Sequence, residues 1–302
     1  MEFPRTRALD RLDVAVPPGV TGLVGANGAG KTTLISLILG LLRPTSGSIA
    51  VLGLDPGVDG PELRAQIGYS PERNVLPDDL RAYDFVRHLS EVKGLPRDEA
   101  RTRASDSLYL VGLGEERFRA LGTMSTGQRQ RVKLAQAIAA DPRLILLDEP
   151  TDGLDPVQRE EMLELIVQIH RDFGIDVILS SHVLEEVERV CDSVVALDAG
   201  TLVAQGTMDE LAGTSGGVVL ELVELEDRPG SIVAVVERLE RAGVQVRRDG
   251  THLAVVGADD EELLDLARDA VAAAGARIRK LGQRRRTLDD LFTTNGTDGS
   301  AP

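Results

Sequence analysis

Gly25-Ala26-Asn27-Gly28-Ala29-Gly30-Lys31-Thr32 has the spacing G-x-x-x-x-G-K-[ST], and it stands between an apolar run, Val20 to Val24, and a helical run, Leu34 to Leu42. Glycines at these positions let backbone N–H groups turn inward around a β-phosphate. Lys31 adds a point charge for β and γ oxygens, and Thr32 offers a hydroxyl to Mg²⁺ at a helix N-terminus. Further along, Leu144 to Leu147 is an apolar run ending in Asp148 and Glu149. Alone, such a run reads as a buried strand with solvated acids at its end. Beside a phosphate loop it fits a second element of the same site, with Asp148 on Mg²⁺ through water and Glu149 polarising an attacking water as general base. Met124-Ser125-Thr126-Gly127-Gln128 opens a third element, in which Ser125 and the Gly127 backbone at a helix start can donate to a phosphate. His182 ends the run VILSSH; taken alone, it reads as a structural histidine.

Taken together, GANGAGKTT, MSTGQRQR, LLDEP, TDGLDP and SSH, in that order, resemble the nucleotide-binding subunit of ATP-binding cassette (ABC) transporters across about residues 3 to 213. The resemblance implies ATP and Mg²⁺ as ligands and a head-to-tail dimer with two ATPs in its interface. It carries nucleotide contacts to Gly25, Asn27, Gly28, Ala29, Gly30, Lys31, Thr32 and Thr33 of one protomer and to Ser125, Gly127 and Gln128 of the other. Thr32, Asp148 and Glu72 become the metal-directed residues, and Glu149 and His182 the catalytic pair, His182 contacting the γ-phosphate and the general base. Asp155 falls in the loop that crosses the dimer interface, and Phe3 aligns with an aromatic that stacks on adenine. Three positions depart from the family pattern. Glu72 replaces a glutamine, which adds negative charge near the γ-phosphate and leaves either Glu72 or a water to complete the metal shell. Thr126 replaces a glycine, and Asp152 stands where a small hydroxyl residue is common. Only two residues precede Phe3 where the family has a full strand, so the first strand is expected to be missing.

The elements that must position these residues follow the hydrophobic pattern. Short apolar runs alternate with amphipathic ones over residues 1–213, which predicts an α/β domain; the resemblance implies that it is a P-loop NTPase cassette. Strands are expected at Val20 to Val24, Ile49 to Leu52, Leu144 to Leu147, Val177 to Leu179 and Val194 to Leu197, and the clearest helix at Asp155 to Phe173. Between about 72 and 139 the strand signal fades and helical stretches fall at 81–93, 97–110 and 127–139, an inserted helical subdomain. Residues 214–217 read as a linker of small residues. In 218–292 the order strand, helix, strand, strand, helix, strand, with Asp249-Gly250 between the middle strands, predicts a smaller ferredoxin-like α+β domain. Its TLDDLF segment is similar to the extension on ATPases of drug-resistance-type exporters; Arg284 to Arg286 reads as a solvated basic run, and 293–302 as a disordered tail.

Composition narrows the class. The 302-residue chain carries 49 Asp+Glu against 34 Lys+Arg, a net charge of -15, and only four of its cations are lysines. A strongly negative field disfavours a general nucleic-acid binder, which needs clustered cations to displace counterions. It forbids no local anion site, because screening confines charges to about 8 Å at physiological salt. Acid-rich, lysine-poor composition also suits a surface that stays soluble in concentrated salt. Cys191 stands alone, so no intramolecular disulfide forms, and no Cys/His cluster has zinc spacing. No run approaches the ~20 apolar residues of a membrane helix. The expected function is a cytoplasmic ATPase subunit, peripheral on the inner face of the membrane, powering a separately encoded permease, an exporter, as a homodimer. The competing readings are a soluble cassette ATPase acting on ribosomes or DNA, and an ATP-gated regulator.

Overall fold

The structure, a computed structural model, describes residues 2–3, 6–73, 76–212, 217–224, 230–256, 260–283, 288–289 and 292. It divides into two compact units, one running to Met208 and one spanning Asp209–Asp290. The first contains β1 (Glu2–Phe3), β2 (Thr6–Arg7), β3 (Val20–Val24), α1 (Lys31–Ile38), α2 (Gly60–Gln66), β4 (Ile67–Ser70), α3 (Ala82–Val92), α4 (Arg97–Leu110) and α5 (Thr126–Ile138). It continues through β5 (Leu144–Asp148), α6 (Pro156–Phe173), β6 (Asp176–Ser181), α7 (Leu184–Val190) and β7 (Ser193–Asp198) to β8 (Thr201–Thr207); α8 (Met208–Ala212) starts at the boundary.

Six of these strands form one sheet in the order β4-β5-β6-β3-β7-β8, parallel except for β8. Every residue of β3 and β5 is buried, as expected of parallel strands covered on both faces. Leu23, Ile35, Leu146 and Leu197 centre the core that α1 closes on one face. Local sequence explains the best-defined helix: Asp155 accepts from the Gln158 N–H as N-cap, Pro156 takes the first helical position, His170 and Arg171 lie in the last turn, and Gly174 ends it in the left-handed conformation. Between Glu72 and Ala139 the described residues hold three α-helices and no strand.

The strand expected at Ile49 to Leu52 does not form. Val51 makes a single bridge to Leu54, because Leu52 and Gly53 both take positive φ and turn the chain back at once. An antiparallel edge strand, β8, appears where none was expected; its residues are only partly buried, so its hydrophobic signal is weak.

The second unit contains β9 (Val218–Val223), α9 (Ser231–Arg241), β10 (Gln245–Asp249), β11 (His252–Val256), α10 (Asp260–Ala274) and β12 (Arg277–Gln283). Its antiparallel sheet runs β10-β11-β9-β12, the fourth strand beside the first and the third beside both first and second, which is the ferredoxin-like arrangement. Val218, Leu220 and Leu222 alternate inward against Ile232, Val235 and Leu239 of α9. Most of the expected linker, the Arg284 to Arg286 run, half of TLDDLF and the tail lie outside the described residues. Among the described residues no helix is long and apolar enough to cross a membrane.

A close backbone approach joins the helical segment to the sheet. A Cβ on Gly68 of β4 would stand 2.1 Å from the Ala137 carbonyl oxygen of α5, so α5 packs there only against glycine. Gly68→Ala is expected to cost about 3 kcal/mol, a Tm fall on the order of 10 °C. A thermal melt within 2 °C of the parent, roughly the size of a sub-kcal/mol effect, would contradict this packing.

Candidate functional site

Parallel pairing brings three strand ends to one edge of the sheet. Val24 is in register with Ser181, and Asp148 with Ser180. The residues that follow, Gly25, Glu149 and His182, therefore emerge side by side. Of these, Glu149 lines a polar cavity of about 290 Å³ together with Ala8, Ala26, Asn27, Gly28, Gly30, Lys31, Thr32, Thr33, Glu72 and Asp148, while Gly25 and His182 reach it only through their contacts with Lys31 and Glu149. A second cavity of about 300 Å³, between the ends of α4 and α6, is largely apolar and contains none of the motif residues.

The loop before α1 is shaped by glycine. Gly25 has φ 152°, and a Cβ there would lie 2.3 Å from the Leu197 carbonyl oxygen. Lys31, almost fully buried, donates from Nζ to the Gly25 carbonyl at 2.6 Å and stands 3.3 Å from Glu149 Oε1. The other carboxylate oxygen of Glu149, Oε2, is 2.9 Å from His182 Nδ1, a hydrogen bond that the Nδ1–H tautomer donates. Glu149 is thus held between a lysine and a histidine, at φ 48°, a conformation that costs a non-glycine residue on the order of 1 kcal/mol.

Ser180 supplies a further link. Its Oγ donates to Asp148 Oδ1 at 2.7 Å and accepts from the Glu149 N–H at 2.9 Å, so one buried hydroxyl orients both acids. Negative charge gathers here: burial pushes the Tyr69 phenol above its usual range, and Asp148 and Glu72 push it further. A second buried cation, besides Lys31, answers. Lys133 of α5 donates from Nζ to the Glu72 carbonyl at 3.1 Å. Desolvation lowers its pKa to about 8, against the opposing pull of Asp148, Asp152 and Glu72.

Thr32, Asp148 and Glu72 offer hard oxygen donors to one cavity. Among the described residues no group of three or more His, Cys, Asp or Glu could hold a metal by itself. That donor set fits a Mg²⁺ ion that takes most of its shell from phosphates and water.

Other expected site residues lie apart. Ser125 is the N-cap of α5, in a reciprocal capping box with Gln128 (3.3 and 3.2 Å). Neither they nor Gly127 line the cavity, and Asp155 caps α6 at an exposed position. Phe3 pairs with Thr6 through its backbone in the β1-β2 hairpin, and its side chain lies outside the described residues. Ala8, Ser180 and Lys133 were not anticipated. The serine in VILSSH and the lone lysine in VKLAQAIAA are visible as residue types, but their partners, 32 and 61 residues away, are not.

This fold and cavity define a P-loop nucleoside-triphosphatase cassette. Residues 9–152 match the ABC transporter family. The daunorubicin resistance ATP-binding protein DrrA3 of Streptomyces coeruleorubidus is 34% identical over 95% of this chain and 90% of its own length. The methionine import ATP-binding protein MetN of Escherichia coli is 37% identical over 68% of this chain and 61% of its own. Among solved structures, cbiO1 from Clostridium perfringens, part of the ABC transporter complex cbiONQ, aligns with TM-score 0.63 and 30% identity, over 78% of this chain and 90% of that one. The chain belongs to the ABC transporter family as one of its ATP-binding proteins, and its class of reaction is ATP hydrolysis.

The depressed Lys133 pKa makes a signed prediction. Between pH 8 and 10.5 the unfolded chain holds a proton at this position that the folded chain has released. Unfolding then takes up protons, so this residue's destabilising effect is full below pH 8 and fades as pH rises through the window. Any stability advantage of Lys133→Met over the parent is expected to shrink by on the order of 2 kcal/mol from pH 8 to 10.5, allowing for residual solvation. Urea melts across that range test it, and a pH-independent difference would refute the shift.

Proposed function

We propose that this chain is the ATP-binding and hydrolysing subunit of an exporter whose permease is a separate membrane chain, and that two copies close head to tail over two ATP molecules. The observation that carries the reading is a division within one chain. Lys31, Asp148, Glu149 and Glu72 surround one cavity, while Ser125 and Gly127 stand at the start of a helix outside it. A site with donors on both sides of the phosphates takes its second side from another copy.

In this reading the backbone N–H groups of Gly28, Gly30 and Lys31 and the Lys31 ammonium bind the phosphates, with Asn27, Ala29 and Thr33 completing the loop. Thr32 and Asp148 hold Mg²⁺, directly or through water, with Glu72 beside them; the ion neutralises phosphate charge when bound. Glu149 accepts the proton of the attacking water, and His182 holds the carboxylate in line through its 2.9 Å contact. Asp155 and Gln128 face the second copy, and Phe3 stacks on adenine. The helical segment between Glu72 and Met124 receives the permease at the inner face of the membrane and turns closure into movement there.

Export is favoured by the extent of the likeness. The resistance protein DrrA3 matches 95% of this chain, whereas the import protein MetN matches 68%.

Glu149→Gln keeps the shape and removes the base. It is expected to bind ATP, to lose turnover by ~10²–10⁴-fold, and to accumulate as an ATP-dependent dimer in size-exclusion chromatography. Unchanged turnover, together with identical elution with and without ATP, would refute the mechanism.

A further inference from the structure

Glu186 is a carboxylate that the reading above leaves unused, and it is 5% exposed. It lies on α7, one turn beyond His182. Its Oε2 accepts from Thr151 Oγ1 at 2.8 Å and from Ser181 Oγ at 3.3 Å. Thr151 is two residues after Glu149, and Ser181 immediately precedes His182. One buried oxygen thus ties the segment bearing the acid to the segment bearing its histidine. The Ser181 hydroxyl also accepts from the Val183 N–H at 3.0 Å, which holds the backbone on the far side of His182. The other oxygen, Oε1, stands 3.1 Å from Arg159 Nε of α6, within ion-pair range but outside hydrogen-bond alignment. The directed bonds of the carboxylate therefore go to Thr151 and Ser181, and Arg159 compensates its charge.

A buried carboxylate is costly unless its partners are good. A leucine here would pack the same space. What the acid adds is a fixed distance between two loops whose side chains, Glu149 and His182, must meet at 2.9 Å. Both lie at strand ends, where the ladder no longer holds the backbone: β5 ends at Asp148 and β6 at Ser181. Glu149 is moreover in the left-handed region, a conformation that persists only where its surroundings over-determine it.

We propose that Glu186 is a positioning residue for hydrolysis, clamping Thr151 and Ser181 so that the Glu149–His182 pair keeps its geometry. It makes no contact with nucleotide, and the proposal rests on the hydrolytic role of Glu149 argued above.

The test uses the full chain, with ATP turnover and ATP binding measured separately. Glu186→Ala is expected to lower kcat by ~10–100-fold, the scale of a small misplacement of a reacting group, with ATP affinity within about threefold because the phosphate loop is untouched. Glu186→Gln retains an acceptor oxygen for both hydroxyls and is expected to recover kcat to within about fivefold of the parent, since the clamp persists. Thr151→Val removes one donor without disturbing the buried charge, is expected to cut kcat several-fold, and carries the test should Glu186→Ala fail to fold. Native kcat in Glu186→Ala or Thr151→Val overturns the proposal. So does a kcat loss matched by an equal loss of ATP affinity, or a glutamine variant as impaired as the alanine one. Glu149→Gln, measured alongside, separates the two levels. If it alone hydrolyses normally, the role of Glu149 is wrong; if it is inactive while Glu186→Ala is normal, only the clamp is wrong.

Discussion

The site depends on the parallel hydrogen-bond ladder β5-β6-β3. Parallel strands in register deliver their C-terminal ends to one edge, and here the register sets Asp148 opposite Ser180 and Ser181 opposite Val24. The residue after each strand then falls beside its neighbours without any further design. Gly25 gives the carbonyl that takes Lys31, Glu149 gives the acid between Lys31 and His182, and His182 closes the row. A shift of one residue in any of these three strands would move its terminal side chain to the opposite face. Complete burial of β3 and β5 makes such a shift costly, so the apolar runs specify the polar site indirectly.

Charge follows the same economy. Three of the four lysines point a buried or half-buried ammonium at a backbone carbonyl: Lys31 at Gly25, Lys93 at Ile67 and Lys133 at Glu72. The last two carbonyls flank β4, the edge strand that leads into Glu72, so α3 and α5 pin both ends of that segment to the helical part of the cassette. Arginine is used instead in pairs at or near the surface, as in Arg87 with Glu91, Arg103 with Asp141 and Arg131 with Glu161. A compact ammonium fits where one carbonyl must be met in a confined space, whereas the planar guanidinium suits an open carboxylate. Among the described residues the buried charged side chains, Lys31 and Lys133 with Asp148, Glu149 and Glu186, nearly balance, so the net charge of -15 describes mainly the surface.

What could be read from the sequence follows the range of the interactions. The phosphate loop, the α6 helix and the Asp249-Gly250 hairpin are written in adjacent residues, and the structure forms each of them where the pattern indicates. The cassette sheet was legible in its central strands because burial on both faces leaves unbroken apolar runs. The partly exposed β8 left no such run, and at Ile49 to Leu52 the apolar residues were a turn, decided by positive φ at Leu52 and Gly53. Ser180, Lys133 and Glu186 were illegible for a different reason. Their partners lie 32, 61 and 35 residues away, and such contacts exist only once strand order is known. Motif residues announce themselves by type and spacing. The residues that hold them do so only in three dimensions.

Ser125 and Asp155 show how one side chain can meet a local and a distant demand. Each is the N-cap of its helix and accepts a backbone N–H at the third position beyond it. A cap spends a single acceptor, and the helix start still carries unpaired N–H groups and the positive end of the dipole. In both cases the cap residue is exposed, although Gly127 behind it is buried in α5. Replacement of the family's glycine by Thr126 leaves this intact, because the N–H groups belong to the backbone and the capping box still forms around them. On the reading proposed above, the chain carries two kinds of phosphate-directed surface: a cavity with buried charge around Lys31, and helix starts capped by their own side chains. Within the chain the two are also tied together, since Lys133 of α5 donates to the carbonyl of Glu72 at the cavity.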